Sequence, residues 1–249
     1  PQSLRGFKEN ILKEYLQHRI LDIIYSSKYA DRLIFMGGTA IRVVHQGGRF
    51  SEALDFDNQG VNQSDFNDIA HIVERELSLD GYNVETKNVL KGAYHCYIRF
   101  PQILFDQGLS GHKQQRILIH IDAEPQNYQY TADKFLMNRF GLFRYINTVP
   151  APVLLAQKIF ACLNRKRPQG RDFFDVVFLA SITAVDYQYL KEKTGISTKK
   201  ELAGRLTEHL KDIDLRVLAR DVEPFLIDPT QKDRVELFTH WLKEWIKKD

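Results

Sequence analysis

Cysteine, methionine and tryptophan are scarce in this chain, with two of each among 249 residues. Cys96 and Cys162 belong to no Cys-x-x-Cys pair and to no Cys/His cluster with zinc spacing. A disulfide scaffold and a structural zinc site are therefore excluded, and buried thiols in a reducing compartment are expected. No run approaches the ~20 consecutive apolar residues of a membrane-spanning helix. The opening Pro1-Gln2-Ser3-Leu4-Arg5 lacks the basic-then-apolar order of a signal peptide, so a cytoplasmic location with no membrane contact is the expectation. Repeats and low-complexity tracts are missing as well. What remains, 43% hydrophobic and 27% charged, is the composition of a folded globular protein with room for one large domain or two modest ones.

One further absence is local. No acidic residue stands between Asp133 and Asp172, whereas the same stretch holds eight cations: Lys134, Arg139, Arg144, Lys158, Arg165, Lys166, Arg167 and Arg171. The rest of the chain then carries 27 basic against 32 acidic residues. Such asymmetry suits a local phosphate site, from a nucleotide or a nucleic-acid backbone. A solvated surface that lacks acids is the alternative. Tyr128, Tyr130, Phe135, Phe140, Phe143 and Tyr145 interleave with these cations, a composition that serves either RNA stacking or packing between lobes.

Periodicity predicts a helix over 8–25, a strand over 33–36 stopped by Gly37-Gly38, and a second helix from Thr39. Leu54-Asp55-Phe56-Asp57 alternates as a half-buried strand. Ser64 is placed to cap a helix running to about Leu79. Strands are expected near 82–89, 94–100 and 116–122, and helices near 153–165, 172–181, 186–194, 198–211 and 230–247. Strands first and helices afterwards predict an α+β fold, a core over residues 1–150 followed by a helical lobe over 151–249.

The chemistry is expected on the acidic strand. Positions 53, 55 and 57 share one face of it, and His120, Asp122 and Glu124 share the outer face of the strand whose inner face is Ile117, Ile119 and Ile121. If the two strands are neighbours, their carboxylates converge and need a neutraliser; hard oxygen ligands suit magnesium or manganese. His120 fits a strand histidine with a hydrogen-bond partner as well as a substrate contact. Between strand and helix, Gly37-Gly38-Thr39 offers backbone N–H groups, a hydroxyl and a helix amino terminus to a phosphate, although isolated diglycines are mostly tight turns. Trp241 and Trp245, four apart, read as packing aromatics of the last helix.

Taken together, Gly37-Gly38-Thr39-Ala40-Ile41-Arg42, Arg49-Phe50-Ser51-Glu52-Ala53-Leu54-Asp55-Phe56, Ile121-Asp122, Leu155-Ala156-Gln157-Lys158 with Arg165, and Arg171-Asp172-Phe173-Phe174-Asp175 resemble the AbiEii/AbiGii toxin family. That family belongs to the DNA polymerase beta-like nucleotidyltransferases, and the resemblance spans about residues 33–180. It implies a minimal nucleotidyltransferase fold, a mixed sheet flanked by helices, ahead of the helical lobe. It also implies a nucleoside triphosphate substrate, magnesium or manganese, a cognate antitoxin, and a toxin–antitoxin or phage-defence role. MenT-type relatives add nucleotides to the acceptor end of tRNA. By the same resemblance Gly37, Gly38 and Thr39 hold the triphosphate, Asp55 and Asp122 bind metal, and Asp122 serves the attacking hydroxyl. Lys158 neutralises phosphate oxygens, and Arg165, Arg171, Asp172 and Asp175 complete the nucleotide site, although the two aspartates serve equally as helix-capping partners of the arginines. Arg49 and Ser51 position either phosphate or the loop.

One position departs from the pattern. The family reads Ser-Glu-Asp-Leu-Asp-Phe where this chain has Ser51-Glu52-Ala53-Leu54-Asp55-Phe56, so Ala53 fills the first metal-ligand slot. A methyl group binds no cation. The expected reading is an inactivating Asp→Ala change; a naturally inactive relative and a shift of the pair to Asp55 and Asp57 are the alternatives. The shift moves the pair by roughly 6–7 Å along the strand, beyond the tolerance of a metal site. Beside the transferase reading stand a non-catalytic nucleotide- or RNA-binding module and a metal-dependent nuclease.

Overall fold

A computed structural model of the chain describes residues 2–247, with side chains from residue 6 onward. The chain divides into two compact units, Pro1–Gln46 with Phe50–Val149, and Gly47–Arg49 with Pro150–Asp249.

The first unit runs α1 (Gln2–Tyr25), β1 (Leu33–Met36), α2 (Gly37–His45), β2 (Ala53–Asn58), α3 (Gln63–Leu79), β3 (Glu85–Lys91), β4 (Ala93–Phe100), α4 (Ile103–Asp106), β5 (Ile117–Glu124), β6 (Asp133–Arg139) and β7 (Leu142–Thr148). Among the described residues the strands form one sheet of seven, in the order β3-β4-β5-β2-β1-β7-β6. It is mixed: β2 pairs parallel with β5, and β1 with β7, while β1–β2, β3–β4, β4–β5 and β6–β7 are antiparallel.

Alternation decides which face is covered. Leu54, Phe56, Cys96, Ile98, Ile119 and Ile121 are buried and form one core with Leu16, Ile20 and Ile24 of α1 and with Phe66, Ile69, Val73 and Leu77 of α3. The residues between them, at positions 53, 55, 95, 97, 120 and 122, are half-buried on the opposite face. α3 is started by Asn62, not Ser64: Asn62 accepts from the Asp65 amide at 2.9 Å, and the Asp65 carboxylate accepts from the Asn62 amide at 3.3 Å. This capping box places the cap two residues earlier than the apolar pattern predicts.

The second unit comprises α5 (Ala151–Asn164), α6 (Gly170–Leu179), α7 (Tyr187–Thr194), α8 (Lys199–His209), α9 (Leu215–Val222), α10 (Asp233–Glu236) and α11 (Phe238–Lys247). The predicted helix over 230–247 is thus broken into a 3-10 turn at Pro229–Lys232 and two helices. The segment Gly47–Arg49 is tied in by a bridge between Arg49 and Leu226 and by the Ile227 amide donating to the Gly48 carbonyl at 3.0 Å. Trp241 and Trp245 stack at 5.6 Å on α11, with the Lys199 ammonium over Trp245.

Gly170 lets α6 meet α9: a Cβ there would stand 1.9 Å from the Leu218 carbonyl oxygen, a backbone atom that no side-chain rotation removes. Gly170→Ala is expected to cost about 3 kcal/mol in a urea melt. Gly204→Ala on α8, where nothing lies within 4 Å, serves as the control and is expected to stabilise by up to about 1 kcal/mol.

Candidate active site

In the first unit the site starts from strand register. Asp55 and Asp122 are direct partners across the parallel β2–β5 pair, and Met36 is partner to Asp55 across β1–β2. Neighbouring strands lie about 4.8 Å apart, so the two half-buried carboxylates stand side by side on one face. Gly37 follows Met36 directly. Its backbone has φ +77°, and a Cβ built on it would fall 2.2 Å from Asp55 Oδ2. Both facts demand glycine, and together they place the diglycine turn against the Asp55 carboxylate. Gly38 and Thr39 are buried in the first turn of α2, and the Thr39 hydroxyl donates to the Ala53 carbonyl, which pins that turn to the start of β2.

His95 completes the group. It is the β4 partner of Asp122, and its Nδ1 lies 2.7 Å from Asp122 Oδ1. An ionised carboxylate only accepts, so Nδ1 carries the proton in this bond. Sequence reasoning missed His95. The available signal was Tyr94-His95-Cys96, whose alternation puts the imidazole on the face opposite buried Cys96.

Asp57 stands apart from this pair. It is 3% exposed, its Oδ1 accepts from the Gln126 amide at 2.8 Å, and its Oδ2 accepts from the Tyr130 hydroxyl at 2.5 Å. Burial, and then the Asp57 hydrogen bond and charge, push the Tyr130 phenol upward. Asp57 therefore anchors the loop after β5. Ala53, partner of His120 across β2–β5, presents a methyl group beside the carboxylate pair. A magnesium ion that keeps several waters suits two carboxylates. Among the described residues, however, no three of His, Cys, Asp and Glu gather as a metal-holding group. The donor set fits one loosely held ion and lacks the ligand that an aspartate at position 53 would add.

The second unit holds the other predicted residues in a buried ion-pair chain. Arg49 grips Asp175 through two bonds, Nε to Oδ1 at 2.7 Å and an Nη to Oδ2 at 2.6 Å. Lys158 Nζ lies 2.9 Å from Asp175 and 3.1 Å from Asp172, and Arg165 Nε lies 2.9 Å from Asp172. Both aspartates are 1% exposed. Neither caps α6, whose N-cap is Gln169. Burial works against the Lys158 ammonium, but Asp175 and then Asp172 outweigh it and hold the amine above the usual lysine range. Arg171 is half-buried in the first turn of α6. Ser51, in the first unit, accepts at its carbonyl from Gln17 Nε2 at 2.9 Å.

The acid-free stretch is accordingly not one basic patch. Arg139 and Arg144 of the β6–β7 hairpin pair with Glu14 and Asp22 of α1, and Lys158 and Arg165 pair with the α6 aspartates. Lys134, Lys166 and Arg167 are exposed. Both cysteines are buried free thiols, and burial pushes Cys96 up to about 12.

Comparison with solved structures places this architecture beside two Helicobacter pylori proteins. One is JHP933, matched with a TM-score of 0.56 at 16% identity over 96% of this chain and 94% of that one. The other, described as a candidate nucleotidyltransferase, matches with a TM-score of 0.56 at 16% identity over 96% and 97% of the two chains. At that identity the likeness speaks for the fold. No curated protein sequence matches the chain. A family model described as the nucleotidyl transferase AbiEii toxin of a type IV toxin–antitoxin system matches residues 19–243. Its span covers the carboxylate pair, the diglycine turn and the ion-pair chain alike, and the chain belongs to the AbiEii nucleotidyltransferase toxin family.

Proposed function

We propose that this nucleotidyltransferase moves a nucleotide from a nucleoside triphosphate to an RNA hydroxyl, the 3′ end of tRNA being the acceptor, and that Ala53 withholds one metal ligand from the reaction. The observation that carries the reading is the register pairing of Asp55 with Asp122 and the packing of Gly37 on Asp55. Diglycine backbone and the amino terminus of α2 favour phosphate there. Asp55 and Asp122 would hold magnesium or manganese, which when bound polarises the α-phosphate and offsets its developing charge. Asp122, oriented by the His95 hydrogen bond, accepts the proton of the attacking hydroxyl as its oxygen bonds to the α-phosphorus and pyrophosphate leaves. A cognate antitoxin is the protein partner that the family description implies.

The test is the Ala53→Asp protein, incubated with labelled triphosphates, magnesium and total cellular RNA beside the unchanged chain. Label is expected to enter RNA at least about 100-fold faster, the equivalent of about 2.7 kcal/mol of barrier. No gain in transfer sinks the proposal. Tight triphosphate binding without transfer would favour a binding module, and shortened RNA a nuclease.

A further inference from the structure

Strand order separates the two flanks of the carboxylate pair. Along β4-β5-β2-β1, Asp122 and Asp55 occupy the middle, and the diglycine turn lies on the β1 side against Asp55. On the β4 side, one register row away, stand two rings. Tyr97 is the partner of His120, and His120 is the partner of Ala53. Their centroids are 4.8 Å apart in an edge-to-face arrangement, and both are half-buried on the carboxylate face. Lys87, exposed on β3, is the next partner in the same row, and half-buried Arg99 follows Tyr97 on the same face of β4.

We infer that Tyr97 and His120, flanked by Lys87 and Arg99, seat the terminal nucleotide of a single-stranded RNA acceptor. This assignment rests on the transferase reading above and adds its acceptor side. Adjacent rows on one strand face are separated by roughly 6–7 Å, the reach from a stacked base to the hydroxyl of its own ribose. A base stacked on one of these rings, with the other ring at its edge, therefore delivers its hydroxyl to Asp122. Single-stranded nucleic acid is held in this way, by stacking on rings and by cations that follow the backbone. The triphosphate is assigned to the opposite flank because the glycine turn and the start of α2 lie there. One row thus takes the acceptor and the other side takes the donor.

The chain as it stands, with Ala53, is sufficient for the test, because binding needs no turnover. Fluorescence anisotropy with a short labelled single-stranded RNA measures the acceptor, and a fluorescent triphosphate analogue measures the donor. Tyr97→Leu is expected to weaken RNA binding about 10-fold and to leave triphosphate binding within 2-fold, while Tyr97→Phe keeps both. Lys87→Ser, at an exposed position of β3, is expected to weaken RNA binding about 3-fold and to flatten its salt dependence. Photo-crosslinking of RNA carrying a reactive 3′-terminal base is expected to label β4 or β5. Unchanged RNA affinity in Tyr97→Leu and Lys87→Ser overturns the assignment. So does a loss confined to the triphosphate, or a crosslink that falls only on the exposed Phe143 and Tyr145. Because these readouts are equilibrium binding, they fail independently of the Ala53→Asp transfer assay.

Discussion

Replacing Asp175 by alanine is expected to lower the stability of the helical unit by about 3–5 kcal/mol. Asp175 faces both Arg49 and Lys158, and none of the three side chains is more than 11% exposed. Its removal leaves a guanidinium and an ammonium together in a low-dielectric interior with Asp172 as the remaining acid. A domain of ordinary stability has only about 5–15 kcal/mol to lose. Urea unfolding followed on the intact chain measures the loss. Replacing Arg49, Lys158, Asp172 and Asp175 together by apolar residues of similar volume is expected to cost far less, because no buried charge is left uncompensated and Arg165, its side chain 41% exposed, keeps its water. The comparison also bears on Lys158. An ammonium serving only this network makes Lys158→Met costly for stability and mild for triphosphate affinity, and one that serves the substrate reverses the ranking.

The same network sets the pH range of the unit. Burial alone would raise Asp175, but Arg49 and then Lys158 hold it below the ordinary carboxylate range. Its contribution is complete above the unfolded-state value, near pH 4, and is lost as acid carries the pH down through the lower folded value. Lys158 behaves in the opposite sense, being raised by its partners. Its contribution is complete below about pH 10.4 and disappears in stronger alkali. Maximal stability in between, with an acid limb that shrinks in Asp175→Ala, is the expected profile.

Much of this arrangement is legible along the chain, and the exceptions have physical causes. Strand β1 follows from an apolar run stopped by two glycines, and β2 and β5 follow from apolar alternation, which also gives the outward positions of Asp55 and Asp122. The β6–β7 hairpin is missed because its alternation is inverted. Phe143 and Tyr145 face outward at 66% and 64% exposed, whereas Arg144 turns toward α1 to meet Asp22 at 2.9 Å. An arginine pointing inward is unreadable until its acid is known, and that acid lies 122 residues away. The pairing of Arg49 with Asp175, across 126 residues, is hidden for the same reason. His95 needs the β4–β5 register before its link to Asp122 emerges, since alternation supplies its face but not its partner. α9 escapes notice although Asp214 caps it through the Arg216 and Val217 amides.

Gly37→Ala is expected to lower transfer in the Ala53→Asp protein by more than the strain of its backbone explains. Any side chain at φ +77° bears the left-handed penalty of about 1–2 kcal/mol. Gly92, with φ +76° and nothing within 4 Å, isolates that penalty, so Gly92→Ala is the reference. At Gly37 the added methyl also meets Asp55 Oδ2 at 2.2 Å and Asp55 Cβ at 2.9 Å, so the carboxylate must leave its place beside Asp122 or the turn must open. Either movement dismantles the packing of the diglycine turn on the Asp55 carboxylate. In the Ala53→Asp background, transfer is expected to fall at least about 100-fold, equivalent to about 2.7 kcal/mol, while the melt shifts by only about 1–2 kcal/mol more than in Gly92→Ala. Adding Asp55→Gly removes the obstructing atoms, and the Gly37→Ala stability cost is then expected to shrink to that of Gly92→Ala. A cost that persists undiminished in that double variant would mean that the diglycine turn is shaped by its own backbone and owes nothing to Asp55.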